Sequence, residues 1–591
     1  MHRRVWFLAA AIAAVLGLAG SAAAMTSAAS SSSSTRTLAT SSFAKAWASI
    51  PRTPAAREAK KTMVFGLEQG VTGFNTGDAN ENAYYAAIVA GTPILRGTYL
   101  IDNKGNYHLD LASKVVANKT YLKIWIRKDA NWNWLGHKAM PVTAQDYIYT
   151  WKQFVDPTND VASNVGYANI DKAKASGNKV VTFYWRKSGC SANTPCGAFA
   201  DYRGLFGLIY PSVALKGQSF NNYWLNCVCG NDGHPISDGP FYMASYTQGQ
   251  GMLLKQNPNW YGQKSGLSSI AFKIITDTNS EIQAMRGGEV DAIAPSPETA
   301  LSELVHQGNL HYSAVPSFTQ EHWDIERGPD GNPLLKKLFI RQAIAEGMNR
   351  QSLITALYGS IAPGLKPLNN PEYEIGTNAT GKYAYFNQYN FKPMAAIKLL
   401  KKNGCTGGPS APSNSNNKVW TCGGKKAEFR FGTTTRASRV ESSQIFQQQL
   451  MAIGIKIDPT IYQAATFFGT ILPDTNFDLG EFAWIGGPDP SGFDAIYQCY
   501  NAHANLGGSN YKRYCNHKVD NLIRKADVNF NPTQRTAQYE EVAKILADDV
   551  AIIPLYASPQ IFVYKKALKG ASASNNPTSE GPTWNLQLWH W

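Results

Sequence analysis

The stretch AFKIITDTNSEIQAMRGGEVDAIA, residues 271–294, decides the fold class. Ala271–Asp277 mixes aromatic and β-branched residues and ends on a turn-forming Asp, which predicts a strand. Ser280–Gly288 then spaces Ile282 and Met285 on one helical face and stops at a glycine pair. Glu289–Ala294 returns to strand character. A β-α-β alternation implies a parallel or mixed sheet with covering helices.

Working outward, the pattern continues. Upstream, residues 237–262, SDGPFYMASYTQGQGMLLKQNPNWYG, read as two strands joined at Gln248–Gly251. YLKIWIR (121–127) and NKVVTFYWR (178–186) are strand-like. PVTAQDYIYTWKQFVDP (141–157) is an amphipathic helix with Thr143 at its cap, Asp146 in its first turn and Pro157 as its stop. Downstream, residues 334–359, LLKKLFIRQAIAEGMNRQSLITALYG, predict one long helical region stopped by Gly359. PTQRTAQYEEVAKILADDV (532–550) predicts a helix capped by Thr533, and AIIPLY (551–556) returns as a strand. The fold class is α/β, with several sheets.

At 591 residues the chain exceeds what one core serves, so two or more lobes are expected. The start reads as an export signal over residues 1–24. Arg3 and Arg4 precede the apolar run VWFLAAAIAAVLGLAG, and Ala22 and Ala24 form a cleavage site. That run is shorter than the roughly 20 residues that span a bilayer. Residues 25–61, rich in Ser, Ala and Thr, read as a flexible leader. The leader also holds the only strong basic cluster, with Arg36, Lys45, Arg52, Arg57, Lys60 and Lys61 against Glu58. Elsewhere the charge, +14 in all, is diffuse, which argues against nucleic acid and for attraction to an anionic envelope surface. Localisation is expected to be exported, in the periplasm or on the cell-envelope exterior.

Eight cysteines in an exported chain imply disulfides. Cys405 with Cys422, and Cys499 with Cys515, each bracket a polar loop. Cys190, Cys196, Cys227 and Cys229 are left to pair among themselves in an order that sequence does not determine. Cys499, His503, Cys515 and His517 could instead hold zinc, but their spacing matches no common zinc module. No resident metal or cofactor is expected.

Five landmarks in order carry a family resemblance: PVTAQDYIYTWKQFVDP; SDGPFYMASYTQGQGMLLKQNPNWYG; IQAMRGGEVDAI; FIRQAIAEGMNRQSLI; and QYEEVAKILADDVAIIPLY. From about residue 62 to the C-terminus the chain resembles the peptide- and nickel-binding group of extracytoplasmic solute-binding proteins, which feed ATP-driven (ABC) importers. The resemblance implies a two-lobed periplasmic-binding-protein-like fold with an extra subdomain, its lobes joined by a paired-strand hinge. Lobe I would comprise 62–95, 225–316 and 554–591, the extra subdomain 96–224, and lobe II 317–553. The implied partners are a peptide or small-molecule ligand and the membrane permease of an importer, with the binding protein itself a monomer.

The resemblance also points to FAWIGGPDPSGF, residues 482–493. In peptide-binding relatives a Trp here is followed three residues later by an Asp that pairs with the ligand's amino terminus. In this chain the Trp is Trp484, the third residue on is Gly487, and the nearest carboxylate is Asp489. Phe74 and Asn75, in the glycine-rich GVTGFNTGD, fall where relatives place a ligand-facing turn. Trp323 falls in the expected crossover SFTQEHWDIE (317–326). The candidate ligand-binding residues are therefore Phe74, Asn75, Trp323, Trp484 and Asp489.

No G-x-S-x-G, H-E-x-x-H or G-x-x-x-x-G-K-[ST] motif occurs, so the sequence supplies no catalytic signature. A binding protein is the expected class rather than an enzyme. A cell-envelope sensor on the same scaffold, or a secreted hydrolase with dispersed catalytic groups, are the alternatives.

Overall fold

A computed structural model describes residues 42–191, 195–370, 384–491, 494–499 and 509–591. Ten strands form one mixed sheet, in the order Phe241–Thr247, Gly251–Gln256, Ser269–Ile274, Thr62–Leu67, Ala292–Ile293, Ile552–Lys565, Leu310–Ile325, Leu479–Ile485, Glu428–Thr434, Lys456–Tyr462. The β-α-β unit is present. Asp277 caps the helix Thr278–Arg286 by accepting from the Ser280 N–H at 2.7 Å. Its two strands are not neighbours, because Thr62–Leu67 lies between them and runs parallel to both. The turn at Gln248–Gly251 joins antiparallel strands, with Gly249 at φ +73° where a side chain would be strained.

Two long strands cross from one half of the sheet to the other. Leu310–Ile325 pairs antiparallel with Ile552–Lys565, from Leu310↔Lys565 to Pro316↔Pro559 and then, after a shift in register, from Gln320↔Ala557 to Asp324↔Ile552. The shift begins where two prolines face each other. Neither has an N–H to give the ladder, so the pairing is weakest at the crossing. The C-terminal residues Phe562, Leu586 and Trp589 pack into the same apolar cluster as Met63, Phe65 and Phe272.

A second, antiparallel sheet of four strands, Ala112–Ala117, Tyr121–Ile126, Val180–Trp185 and Ile170–Ala175, lies within residues 96–224. The helix Ala144–Val155 covers it, with the Trp151 and Phe183 rings 6.1 Å apart. Asp146 accepts from the Thr143 N–H at 2.7 Å, closing the first turn as the sequence indicates.

Three expectations are corrected. The segment 334–359 is not one helix. Leu338–Gly347 and Arg350–Tyr358 are separated at Met348–Asn349, and Asn349 caps the second by accepting from the Ser352 N–H. A Cβ on Gly347 would lie 2.6 Å from Ile453 Cδ1, so that position is held by close packing. The helix Pro532–Asp548 is capped by Asn531 rather than by Thr533, with Pro532 in the first turn. From Ser42 onward the expected flexible leader is folded as two short helices, Phe43–Ala48 and Pro54–Ala59. Phe43 is buried and its N–H donates to Thr247 Oγ1 at 2.8 Å. The expected export signal lies outside the described residues.

Arg57 anchors that segment. Its Nε and Nη2 donate to the two oxygens of Asp291, each at 2.7 Å, and both residues are buried. Asp291 also accepts from Lys565 Nζ at 2.7 Å and from the Val64 N–H at 2.9 Å. The four cystine bridges are Cys190–Cys196, Cys227–Cys229, Cys405–Cys422 and Cys499–Cys515. Asp291→Ala would leave two buried cations without their counter-charge. It should lower the unfolding free energy by about 3–5 kcal/mol in urea titrations, more than Arg57→Ala, which leaves Asp291 paired with Lys565.

Candidate functional site

The stretch 482–493 begins on the strand Leu479–Ile485. Alternation places Phe482 and Trp484 on one face, opposite His322 and Gln320 of the crossing strand. Phe482 is fully buried edge-on to His322, with centroids 4.6 Å apart. Trp484 lies parallel to Tyr511 at 6.1 Å. Its Nε1 is buried and has no hydrogen-bond partner among the described residues. Beneath this face, Asp324 sits 3.3 Å from both His322 Nε2 and Lys512 Nζ, all three shut off from solvent. Burial opposes the charge of Asp324, but Lys512 and His322 outweigh it and hold its carboxyl below the ordinary value.

The opposite face carries Glu321, Trp323 and Glu481. Glu321 is gripped by Arg439, at 3.0 Å to each oxygen, and by Arg436 at 3.2 Å. Glu481 has no such cation. Burial, with repulsion from Glu321, pushes its carboxyl up to about 8. It is therefore protonated at neutral pH, accepting from Trp323 Nε1 at 2.9 Å and Ser442 Oγ at 2.8 Å.

The strand ends at Ile485, and the Gly486 N–H donates to Phe318 O at 2.8 Å. Gly487, Pro488 and Ser491 then line a cavity of about 500 Å³. Its far wall comes from residues 76–208, including Arg96, Tyr107, Asp201 and Arg203, and Ser579–Glu580 completes it. The walls also touch beyond the cavity. The Ala200 N–H donates to Asp527 O at 2.8 Å, and the Tyr202 and Phe530 rings stack at 6.2 Å.

The polar groups of the cavity are unevenly satisfied. Arg96 donates to Asp110 at 2.5 Å, and Tyr261 OH donates to the other oxygen at 2.8 Å. The Arg203 guanidinium lies over the Tyr107 ring at 4.6 Å. Asp201 Oδ1 is buried with no hydrogen-bond partner among the described residues. Burial and then Asp489 push the Asp201 carboxyl well up, against Arg535 and Arg203. Burial raises Glu580 to about 7 despite Arg96 nearby.

None of the five residues singled out in the sequence lines this cavity, although Thr76 and Gly77, beside Asn75, and Pro488, beside Asp489, do. Phe74 is fully buried, edge-on to Tyr246 at 4.9 Å. Asn75 is fixed internally: Tyr210 OH donates to its Oδ1 at 2.6 Å, and its N–H donates to Glu81 Oε2 at 2.8 Å. Trp323 is packed between Phe431 and Phe446. Asp489 is held by Arg535, whose Nη2 donates to Oδ1 at 2.5 Å, and by Ser491 Oγ at 2.7 Å. Burial raises its pKa, but Arg535 outweighs this and keeps the carboxyl charged. Asp201 and Glu580 belong to no motif, and no signal in the sequence singled them out. Of the alternative zinc set, His503 lies outside the described residues, and Cys499 and Cys515 are joined in a disulfide.

Two sheet halves, crossed twice by the chain and closing on a cavity, define a two-lobed ligand-binding protein. The chain belongs to family 5 of the bacterial extracellular solute-binding proteins, whose middle region matches residues 106–504. The oligopeptide-binding protein OppA of Bacillus subtilis is 22% identical over 538 residues, which cover 86% of this chain and 88% of that protein. The periplasmic EDTA-binding protein EppA superposes with a TM-score of 0.73 at 20% identity, over 90% of this chain and 96% of its own. AppA of Bacillus subtilis, solved with a nonapeptide, superposes at 0.65 and 19% identity, over 90% and 98%. Among the described residues no helix is long and apolar enough to cross a membrane.

Glu481 generates a pH-dependent prediction. The folded protein retains a proton that the unfolded chain releases above its ordinary value of about 4.3. This group's stabilising contribution is therefore complete in acid and is lost as pH rises towards about 8. Glu481→Gln should remove that loss. Its stability relative to the parent should grow by up to about 1.4 kcal/mol per pH unit across that window, read from urea midpoints at pH 5, 7 and 8.5.

Proposed function

We propose that this protein captures a short peptide or a related polar solute carrying a cationic amino terminus and delivers it to the membrane permease of an ABC importer. The family and the oligopeptide-binding relatives support the solute class and the importer. One observation carries the finer reading: the cavity and its rim hold one carboxylate more than they hold guanidiniums. Asp110, Asp201, Asp489 and Glu580 face Arg96, Arg203 and Arg535. Arg96 is committed to Asp110 and Arg535 to Asp489, and the Arg203 guanidinium lies 3.9 Å from that same Asp489, so Asp201 and Glu580 have no ion pair of their own among the described residues. Burial pushes both carboxyls towards their neutral form, and an ammonium seated beside them would favour the ionised form and satisfy Asp201 Oδ1. The cavity falls in the range of about 300–1,000 Å³ usual for small-molecule sites.

In this reading Asp489 does not meet the ligand, because Arg535 already neutralises it. Trp484, which does not line the cavity, stays a candidate contact through an Nε1 that has no hydrogen-bond partner among the described residues, while Phe74, Asn75 and Trp323 support the walls from within. The closed arrangement sheds water from the ligand and strengthens these contacts. Export and periplasmic or cell-envelope residence follow from the same reading, as does a monomeric working form.

Isothermal titration with short peptides tests it. Peptides with a free amino terminus should bind at least about tenfold more tightly than their N-acetylated forms, the size of one charge-assisted hydrogen bond. The double variant Asp201→Asn/Glu580→Gln should abolish the difference. Equal binding of both forms by the parent would sink the ammonium assignment. Gly487 supplies a second prediction. An added Cβ there meets nothing within 4 Å. Gly487→Asp, which restores the acid of the peptide-binding relatives, should therefore fold normally and tighten free-amino peptides about tenfold, with acetylated peptides unchanged.

A further inference from the structure

Away from the cavity, His137, Asp232 and His234 bring their ligand atoms together on the surface, all within 4.8 Å of one another. His137 Nε2 is 2.7 Å and His234 Nδ1 3.0 Å from the same oxygen, Asp232 Oδ2. The side chains are 44%, 29% and 47% exposed respectively, so the cluster is open to solvent on one side.

The shell behind the cluster fixes its geometry. Trp134 Nε1 and the His234 N–H both donate to Asp232 Oδ1, at 2.9 and 3.0 Å. Those bonds hold the carboxylate so that Oδ2 faces the imidazoles. The Trp134 ring also stacks on the His137 ring, with centroids 4.0 Å apart. Trp134 in turn pairs with Ile236 on the adjoining short strand. The turn between is closed by the Gly230 N–H to His234 O bond at 2.9 Å and by the bridge Cys229↔Pro235, next to the Cys227–Cys229 disulfide. A Cβ on Gly230 would lie 2.6 Å from the Trp134 ring, so the loop and the indole are tightly apposed. Metal-binding histidines and carboxylates are oriented by outer contacts of this kind.

We propose that His137, Asp232 and His234 form a binding site for one divalent transition-metal ion, coordinated by two imidazole nitrogens and one carboxylate oxygen with its remaining positions open to water or an exogenous ligand. Ligand atoms about 2.0–2.2 Å from a common ion lie about 3–3.5 Å apart; here the two imidazole–carboxylate separations are 2.7 and 3.0 Å, and all three ligand atoms lie within 4.8 Å of one another. Two nitrogens and one oxygen suit zinc, nickel and copper(II) rather than magnesium or calcium. The second cluster of this type, Cys499, Cys515 and His517, offers no thiolate because its sulfurs are bonded to each other.

The test is equilibrium dialysis of the full protein against zinc and nickel salts, with bound metal counted by elemental analysis. The parent should retain one ion per chain with a dissociation constant of micromolar order or below. The double variant His137→Ala/His234→Ala should lose at least tenfold in affinity while keeping its melting temperature in the absence of metal. Electron paramagnetic resonance of the copper(II)-loaded parent should show two coordinated nitrogens, and the Asp232→Asn variant should keep them with weakened binding. A parent that holds no metal above background, or binding that survives the double variant, would overturn the proposal.

Discussion

The antiparallel pairing of Leu310–Ile325 with Ile552–Lys565 is the constraint on which the rest of the structure depends. Each strand is long enough to belong to both halves of the large sheet, so the two halves share a backbone ladder. The facing prolines, Pro316 and Pro559, interrupt that ladder in the middle. A ladder with a gap resists separation of its strands but yields more readily to bending at the gap, which is what a hinge between lobes requires. On one side of the gap the strands feed the cluster of Phe65, Phe272 and Phe562. On the other they carry a row of buried polar groups, Glu321, His322 and Asp324; Arg436 and Arg439 hold Glu321, and Lys512 together with His322 holds Asp324. Those partners, Arg436, Arg439 and Lys512, make the second half rigid where it presents Trp484 and the loop 486–491.

The loop 486–491 carries a carboxylate whose counter-charge comes from another element. Here Asp489 is answered by Arg535, and the position three residues after Trp484 is a glycine with open space beside it. On the far wall, burial raises the carboxyls of Asp201 and Glu580, which enter no ion pair among the described residues.

The sequence made the fold legible where periodicity and punctuation agree. The unit at 271–294 and the helix at 141–157 carry their own caps and stops. It misled where composition masked capping. The Ser- and Ala-rich leader hid Thr53–Pro54, a cap followed by a first-turn proline, and hid Arg57, whose partner Asp291 lies far along the chain. The site was legible only in part. The resemblance pointed to Trp484 and to the loop that follows it. Asp201 and Glu580 are single acids in ordinary loops, far apart in the chain, that come to line one cavity only in the folded protein. A pairing made by tertiary contact leaves no spacing to read. The same holds for Asp489, whose neutralisation by Arg535 depends on a helix 46 residues away.

The disulfides have a consequence for biogenesis. Each cysteine is bonded to the next one in the chain, across intervals of 6, 2, 17 and 16 residues. A polypeptide entering an oxidising compartment from its N-terminus therefore meets each native partner before any competitor has emerged. Oxidation in order of arrival produces the final set directly, without the seconds to hours that reshuffling of crossed bridges takes. No crosslink ties one half of the large sheet to the other, so the covalent chemistry can be complete before the lobes dock and leaves their relative movement untouched.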